Sequence, residues 1–135
     1  MENNHLKQVN QYKCLRSSMS DILTLNIGIA GCGTMGLPML EVLLKNNINA
    51  YGYDIKHKKL FHTIKNNFIK SKKEFFAKSD VIFSVVRDIK QTLELCEGED
   101  GLFETNSQKT LIICSTLSPA FLKDFFHKKP SNITM

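Results

Sequence analysis

Several absences limit what this sequence can be. It contains no run of about 18 apolar residues, which excludes a conventional transmembrane helix. Its four cysteines form no C-x-x-C pair and have no metal-ligand spacing, so no metal site is expected. No secretory signal peptide is recognisable at the N-terminus. We therefore expect reduced thiols, a cytoplasmic location and no membrane partner.

Acidic residues are missing from one long segment. Residues 56–73 contain seven lysines and no aspartate or glutamate, and they supply much of the formal net charge of +5. A solvated helix face and loop is the simplest interpretation, and attraction of an anionic cofactor or weak polyanion binding is the alternative. The lysines are not regularly interleaved with aromatic residues or glycines, as they often are in nucleic-acid-binding segments, so we expect no nucleic-acid partner.

The first 22 residues lack a steady apolar period and are rich in asparagine and glutamine. This composition predicts a flexible N-terminal extension over residues 1–22, followed by one domain over residues 23–135. The extension has few acidic residues, as transit peptides do, which makes the mitochondrial matrix the alternative location. Met19 offers a second translation start besides Met1.

The most informative stretch is a short apolar strand that ends in Gly31-x-Gly33-x-x-Gly36 and leads directly into a helical pattern. A second strand ends at Asp54, about 20 residues further on, as in dinucleotide-binding βαβ units. Gly31 permits a tight turn, Gly33 lets backbone approach a pyrophosphate, and Gly36 lets helix and strand pack closely. The N–H groups at the start of the helix would then hold the anion.

Strands and helices alternate along the whole domain. The predicted strands cover residues 24–30, 49–53, 68–69, 80–86 and 110–114, and Ile133 and Thr134 are suited to begin a sixth. The predicted helices cover residues 34–45, 56–66, 74–78, 89–96 and 119–126. This alternation predicts an α/β fold, a Rossmann-type doubly wound parallel sheet of about five strands in the order 3-2-1-4-5.

Three stretches resemble the β-hydroxyacid dehydrogenases, the family of 3-hydroxyisobutyrate dehydrogenase and a relative of 6-phosphogluconate dehydrogenase. Residues 27–39 (IGIAGCGTMGLPM) resemble the family's opening, and the Met-Gly-x-Pro-Met continuation is more specific than the glycines alone. Residues 79–86 resemble its fourth strand, and residues 114–119 (CSTLSP) its Ser-Thr-x-x-Pro substrate-end motif. The resemblance covers residues 26–126, nearly all of the domain.

The resemblance implies a binding role for each matching position. The implied cofactor-binding residues are Gly31, Cys32, Gly33, Thr34, Met35, Gly36, Asp54, Val86, Arg87, Gln91 and Thr116. Asp54 would accept hydrogen bonds from the adenosine ribose, and Ser115 would help bind the substrate carboxylate. An acid at Asp54 favours NAD because it would repel the 2′-phosphate of NADP, although the neighbouring lysines leave NADP open.

The sequence also departs from the family. Arg87 replaces the customary proline, and Ile113 replaces a frequent aspartate. The family's catalytic lysine belongs to a C-terminal helical substrate domain, which these 135 residues lack, and Lys45 closes the first helix and is assigned no catalytic role.

We therefore expect a truncated chain that forms the NAD(P)-binding domain of a β-hydroxyacid dehydrogenase-like oxidoreductase. The complete enzyme would transfer hydride between nicotinamide and a small hydroxy acid such as 3-hydroxyisobutyrate. This chain would contain no catalytic residue and would be inactive alone. The alternative is a non-catalytic dinucleotide-binding sensor or interaction module.

Overall fold

A computed structural model describes residues 24–56 and 64–135. In these ranges the strands are β1 (Ile27–Ala30), β2 (Ala50–Tyr53), β3 (Val81–Ser84), β4 (Lys109–Ile113) and β5 (Ile133–Thr134). The helices are α1 (Gly36–Lys45), α2 (Lys72–Lys78), α3 (Ile89–Cys96) and α4 (Pro119–Lys128), with a 3-10 turn at Leu102–Glu104. The whole of the predicted N-terminal extension and residues 57–63 of the predicted helix 56–66 lie outside the described residues.

The five strands form one parallel sheet in the order β2-β1-β3-β4-β5. β1 lies inside the sheet and all four of its residues are buried, with Ile29 paired to Gly52 on one side and to Phe83 on the other. The chain passes outward from β1 to β2 and then crosses back to β3, so the direction of winding reverses beside β1. The predicted Rossmann-type α/β fold is confirmed.

The two edges of the sheet differ from the prediction in detail. Residues 68–69 lie beside β2, as predicted, but form a single parallel bridge between Phe68 and Gly52 and no strand. The turn over residues 65–67 and the helix that Ser71 caps leave room for one pair only. At the opposite edge, the two residues of β5 pair with Lys109 and Thr110 of β4 and become the fifth strand.

The sheet separates two apolar clusters, because successive strand side chains point to opposite faces. On one face, Leu40 of α1 packs with Ile27 and Ile29 of β1. The larger cluster on the other face is built around Phe75, Phe76 and Phe125 and is contributed by α2, α3 and α4. Both faces hold β1 rigidly, and β1 leads into the glycine-rich turn.

Leu40 is expected to anchor α1 to the sheet. Its side chain is fully buried, so Leu40→Ala should lower the free energy of unfolding by about 2–5 kcal/mol through lost contacts and a residual cavity. Val42→Ala in the same helix is the control, since Val42 is 57% exposed and alanine favours helix. Urea unfolding followed by circular dichroism measures both, and equal effects would contradict this account of the packing.

Candidate functional site

A cleft of about 520 Å³ lies at the carboxyl ends of the central strands. Gly31 follows β1, Asp54 follows β2 and Val85 follows β3, and all three line the cleft. In open α/β sheets, ligands bind outside the carboxyl ends of the strands where the winding direction reverses, which is the position of this cleft. The lining residues are Gly31, Gly33, Thr34, Met35, Gly36, Tyr53, Asp54, Ile55, Lys56, Lys72, Val85, Val86, Arg87, Gln91, Glu94, Leu95 and Cys114.

Two of the three fingerprint glycines are required by the backbone conformation and packing of the protein, whether or not a ligand binds. Gly31 has a φ of +96°, and a Cβ on it would lie 2.7 Å from the carbonyl oxygen of Val85. A Cβ on Gly36 would collide with the carbonyl oxygen of Gly31. Glycine at position 36 thus lets the first turn of α1 approach the end of β1. Glycine at position 31 permits the positive φ and lets the loop after β3 pack against this turn.

Gly33 is different, because no protein atom lies within 4 Å of the Cβ it would carry. Its φ is outside the positive range that disfavours other residues, so the backbone alone would accept alanine. Gly33 is exposed and borders the open space of the cleft. The missing side chain leaves room for a group that is not part of the protein, as close approach of a pyrophosphate requires.

The start of α1 also fits an anion. Serine and aspartate side chains cap the other three described helices: Ser71 caps α2, Asp88 caps α3 and Ser118 caps α4. The N-cap of α1 is Met35, whose side chain makes no capping hydrogen bond. No side-chain cap therefore covers the positive end of the α1 dipole. Within the first turn the N–H of Gly36 remains for an anion, since that of Leu37 donates to the carbonyl oxygen of Gly33 at 3.1 Å and Pro38 has none.

Asp54 is positioned by a local turn at the end of β2. Its Oδ1 accepts a hydrogen bond of 2.7 Å from the backbone N–H of Lys56. Ile55 between them is 64% exposed and lines the cleft. The Tyr53 ring stacks on Phe75 at 5.5 Å, and burial, followed by the charges of Glu94 and Asp54, raises the pKa of its hydroxyl. The β2 side of the cleft thus combines a carboxylate with apolar surface.

The loop after β3 forms the opposite wall and is held by side-chain hydrogen bonds. The backbone N–H of Arg87 donates to Oε1 of Gln91 at 2.9 Å, and the Ser115 hydroxyl donates to the carbonyl oxygen of Val86. Asp88 caps α3 by accepting from the N–H of Gln91 at 2.9 Å. These contacts place Val86, Arg87 and Gln91 in the wall of the cleft.

Nine of the sequence-predicted site residues therefore meet in one cleft: Gly31, Gly33, Thr34, Met35, Gly36, Asp54, Val86, Arg87 and Gln91. Three others do not line it. The Cys32 thiol is buried, donates to the carbonyl of Ile29 at 3.6 Å, and has its pKa raised to about 12 by burial and by the charge of Asp54. The Ser115 hydroxyl donates a hydrogen bond to the backbone carbonyl of Val86, and Thr116 is exposed and lies outside the cleft.

Sequence reasoning missed part of the cleft wall: Tyr53, Ile55, Lys56, Lys72, Val85, Glu94, Leu95 and Cys114. Ile55 and Lys56 directly follow Asp54 in the sequence, and this position could have indicated that both line the cleft. Glu94 and Leu95 stand on α3, one turn beyond the predicted Gln91, where helical spacing points to the same face. Lys72 belongs to the lysine-rich segment 56–73, for which attraction of an anionic cofactor was the alternative interpretation, but nothing singled it out, because it reaches the cleft from α2, which is distant in sequence.

Pro38 and Met39 of the Met-Gly-x-Pro-Met motif lie outside the cleft. A second concavity of about 470 Å³ is lined by Ile29, Thr34, Met35, Pro38, Met39, Val42, Leu43 and Phe83. Met35 is 69% exposed and contributes to both concavities, whereas Pro38 and Met39 line only the second. The family-specific part of the fingerprint therefore forms an apolar groove beside the cleft.

Residues 24–56 and 64–135 provide neither a metal site nor a membrane-spanning helix. This part of the chain holds no group of three or more His, Cys, Asp or Glu side chains arranged to bind a metal. Nor does it include a helix whose length and hydropathy would suit a membrane span.

Comparison with known families gives a match over most of the chain. The family model for the NAD binding domain of 6-phosphogluconate dehydrogenase matches residues 26–131. No curated protein matches the chain significantly.

Solved structures share the fold. An imine reductase from Myxococcus stipitatus in complex with NADP+ is 17% identical, with a TM-score of 0.67 over 76% of this chain and 36% of that chain. Its V8 variant with NAD+ is 16% identical, with a TM-score of 0.67 over 77% and 36% of the two chains. A 3-hydroxyisobutyrate dehydrogenase from Salmonella typhimurium is 20% identical, with a TM-score of 0.64 over 75% and 36%.

The chain thus spans about a third of the length of the solved structures it matches, and the matched part carries the glycine-rich cleft. Fold, cleft geometry and family match agree. The chain belongs to the family of the NAD binding domain of 6-phosphogluconate dehydrogenase, the domain type of the β-hydroxyacid dehydrogenase-like oxidoreductases.

Proposed function

We propose that this domain binds NAD in preference to NADP, with the pyrophosphate against the Gly31–Gly36 turn. The single observation that carries the proposal is the open space at Gly33, which neither packing nor backbone conformation explains. The start of α1, which has no side-chain cap, adds the N–H of Gly36 and a positive dipole at the same place. The carboxylate at the end of β2 then suits the adenosine ribose.

Each wall of the cleft has a role in this proposal. The backbone from Gly31 to Gly36 holds the pyrophosphate, and for Cys32 only the main chain takes part because its thiol is buried. Ile55 and Leu95 offer apolar surface to the adenine ring. Val86 and Gln91 line the opposite wall, and Thr116, which is exposed outside the cleft, is proposed to contact the nicotinamide side.

Asp54 is the residue that favours NAD. Its Oδ1 is occupied by the N–H of Lys56, which orients the carboxylate and leaves its second oxygen for a ribose hydroxyl. A 2′-phosphate at this position would meet the negative carboxylate. Among the described residues, Lys56 is the cation nearest to Asp54 along the chain, so the preference between NAD and NADP depends on which of these two charges lies nearer the ribose.

The reaction we propose for the enzyme type is hydride transfer between nicotinamide and a small hydroxy acid. The bound cofactor supplies the hydride chemistry, and the domain orients the cofactor. The 3-hydroxyisobutyrate dehydrogenase among the structures that share the fold supports this substrate class. Ser115 is proposed to approach the substrate carboxylate, which requires its hydroxyl to leave the carbonyl of Val86.

The glycines provide the direct test of cofactor binding. Gly33→Ala should change the free energy of unfolding by less than about 0.5 kcal/mol, because the new methyl group meets no protein atom. The same methyl group obstructs the pyrophosphate, so NADH affinity should fall about tenfold or more. Titration of the full chain with NADH, followed by fluorescence, measures the affinity.

Gly36→Ala is the matched substitution with the opposite outcome. Its methyl group collides with the carbonyl of Gly31, so it should destabilise the fold by about 1–3 kcal/mol. Failure of the unaltered chain to bind NADH or NADPH at millimolar concentration would refute the proposal. Equal NADH affinity of the unaltered chain and Gly33→Ala would remove its main support.

Substitution of Asp54 tests the cofactor preference. Asp54→Asn retains an Oδ1 acceptor for the Lys56 N–H but removes the charge. We expect NADH to bind about tenfold more weakly and NADPH more tightly, since a charged hydrogen bond is lost and a repulsion is relieved. Glu99→Gln, an exposed carboxylate that does not line the cleft, is the control for net charge. A chain that already prefers NADPH would contradict this role of Asp54.

The chain alone is expected to bind cofactor without turnover. Its 135 residues cover 36% of the length of the Salmonella 3-hydroxyisobutyrate dehydrogenase, so groups that the rest of that chain would contribute are absent from the assay. Absorbance measurements with NAD+ and 3-hydroxyisobutyrate should show no NADH formation above the protein-free rate. Sustained, protein-dependent formation of NADH would show that the chain contains its own catalytic group.

A further inference from the structure

We infer that the Arg87 guanidinium binds the pyrophosphate of the dinucleotide from the β3 side of the cleft, opposite the start of α1. This inference rests on the proposed function and adds a side-chain contact to a site otherwise formed by backbone. It concerns the charged group of Arg87, whereas the sequence placed only its position beside the cofactor.

The first argument is location. The loop after β3 packs directly on the glycine-rich turn, since a Cβ on Gly31 would lie 2.7 Å from the carbonyl oxygen of Val85 and 3.3 Å from the nitrogen of Val86. Arg87 follows immediately, is exposed, and lines the same cleft as Gly33. Gly33 and Arg87 therefore border one continuous space, on its α1 side and its β3 side.

The second argument is rigidity. Gln91 accepts the N–H of Arg87, and the Ser115 hydroxyl binds the carbonyl of the preceding residue. The following residue, Asp88, is fixed as the N-cap of α3, and its carbonyl oxygen accepts the Thr92 hydroxyl at 2.9 Å. The backbone of Arg87 is thus held on both sides, so binding would have to order the side chain alone.

The third argument is charge. The charged residues that line the cleft are Asp54, Lys56, Lys72, Arg87 and Glu94. The Lys72 ammonium already donates to the carbonyl oxygen of Glu94 at 3.1 Å, and Lys56 stands at the ribose end beside Asp54. Among residues 24–56 and 64–135 the one ion pair joins Lys78 and Glu74, so the Arg87 guanidinium has no carboxylate partner there.

A free guanidinium suits a diphosphate because its planar fork of donors matches two phosphate oxygens at once. A substrate carboxylate has the same fork geometry and is the other anion that this enzyme type would bring to the cleft. The two sources are separable, since adenosine diphosphate ribose contains the pyrophosphate but neither nicotinamide nor substrate.

The test compares three variants of the full chain in titrations with NADH and with adenosine diphosphate ribose. Arg87→Gln removes the charge, Arg87→Lys keeps the charge without the fork, and Lys90→Gln removes an exposed charge of α3 that does not line the cleft. Thermal melting checks that each variant is folded, and each titration is repeated at raised salt.

We expect Arg87→Gln to weaken both ligands about tenfold and to make their affinity less dependent on salt. The affinities of Arg87→Lys for both ligands should lie between those of Arg87→Gln and those of the unaltered chain. The affinities of Lys90→Gln should remain within about twofold of those of the unaltered chain. Unchanged affinity of Arg87→Gln for both ligands would overturn the inference and leave the proposed function intact. Weaker NADH with unchanged adenosine diphosphate ribose would place the guanidinium at the nicotinamide or substrate end and would also overturn it. If the unaltered chain binds neither ligand, the proposed function itself fails.

Discussion

The closeness of α1 to the end of β1 is the constraint on which the rest of the cleft depends. The carbonyl oxygen of Gly31 lies where a side chain of Gly36 would begin, so the helix can start this early only with glycine at position 36. An early start places the positive end of the α1 dipole at the carboxyl edge of the sheet. The burial of β1 on both faces and of Leu40 on α1 then makes this placement stable.

The same constraint distributes charge around the cleft. Because β1 has β2 on one side and β3 on the other, the loops after these strands flank the glycine-rich turn. The β2 loop presents the carboxylate of Asp54, and the β3 loop presents the guanidinium of Arg87. A dinucleotide has a neutral ribose toward one end and a charged pyrophosphate at its centre, so these opposite charges suit one ligand in one orientation.

The parts of the fold that depend on local pattern were predictable from the sequence. The glycine spacing located β1, α1 and β2, and helix α3 has the predicted bounds because Asp88 caps it. Position 68 was placed beside β2 correctly. Its reduction to one bridge could not be foreseen, because it depends on how soon α2 begins after the turn.

The candidate site was predictable wherever backbone or sequence spacing defines it. Contacts between segments that are distant in sequence could not be predicted, because they depend on how the segments pack. Ser115 donates to the carbonyl of Val86, 29 residues earlier, so a hydroxyl expected to face substrate is engaged within the protein. Lys72 enters the cleft from α2, and Cys32 points into the core although its neighbours on both sides line the cleft. These side-chain orientations depend on tertiary structure and produce no periodic pattern in the sequence.

The hydrogen bonds of the sheet continue past the strands into the cleft. The N–H of Gly31 donates to the carbonyl of Tyr53, and the N–H of Val85 donates to the carbonyl of Ala30, both at 2.8 Å. We therefore expect Gly31 and Val85, which begin two of the loops of the cleft, to unfold together with the buried strands. Their amide hydrogens should then exchange with solvent as slowly as those of the core. A ligand that binds there gains little by ordering these residues, and instead its binding free energy adds to the stability of the whole sheet.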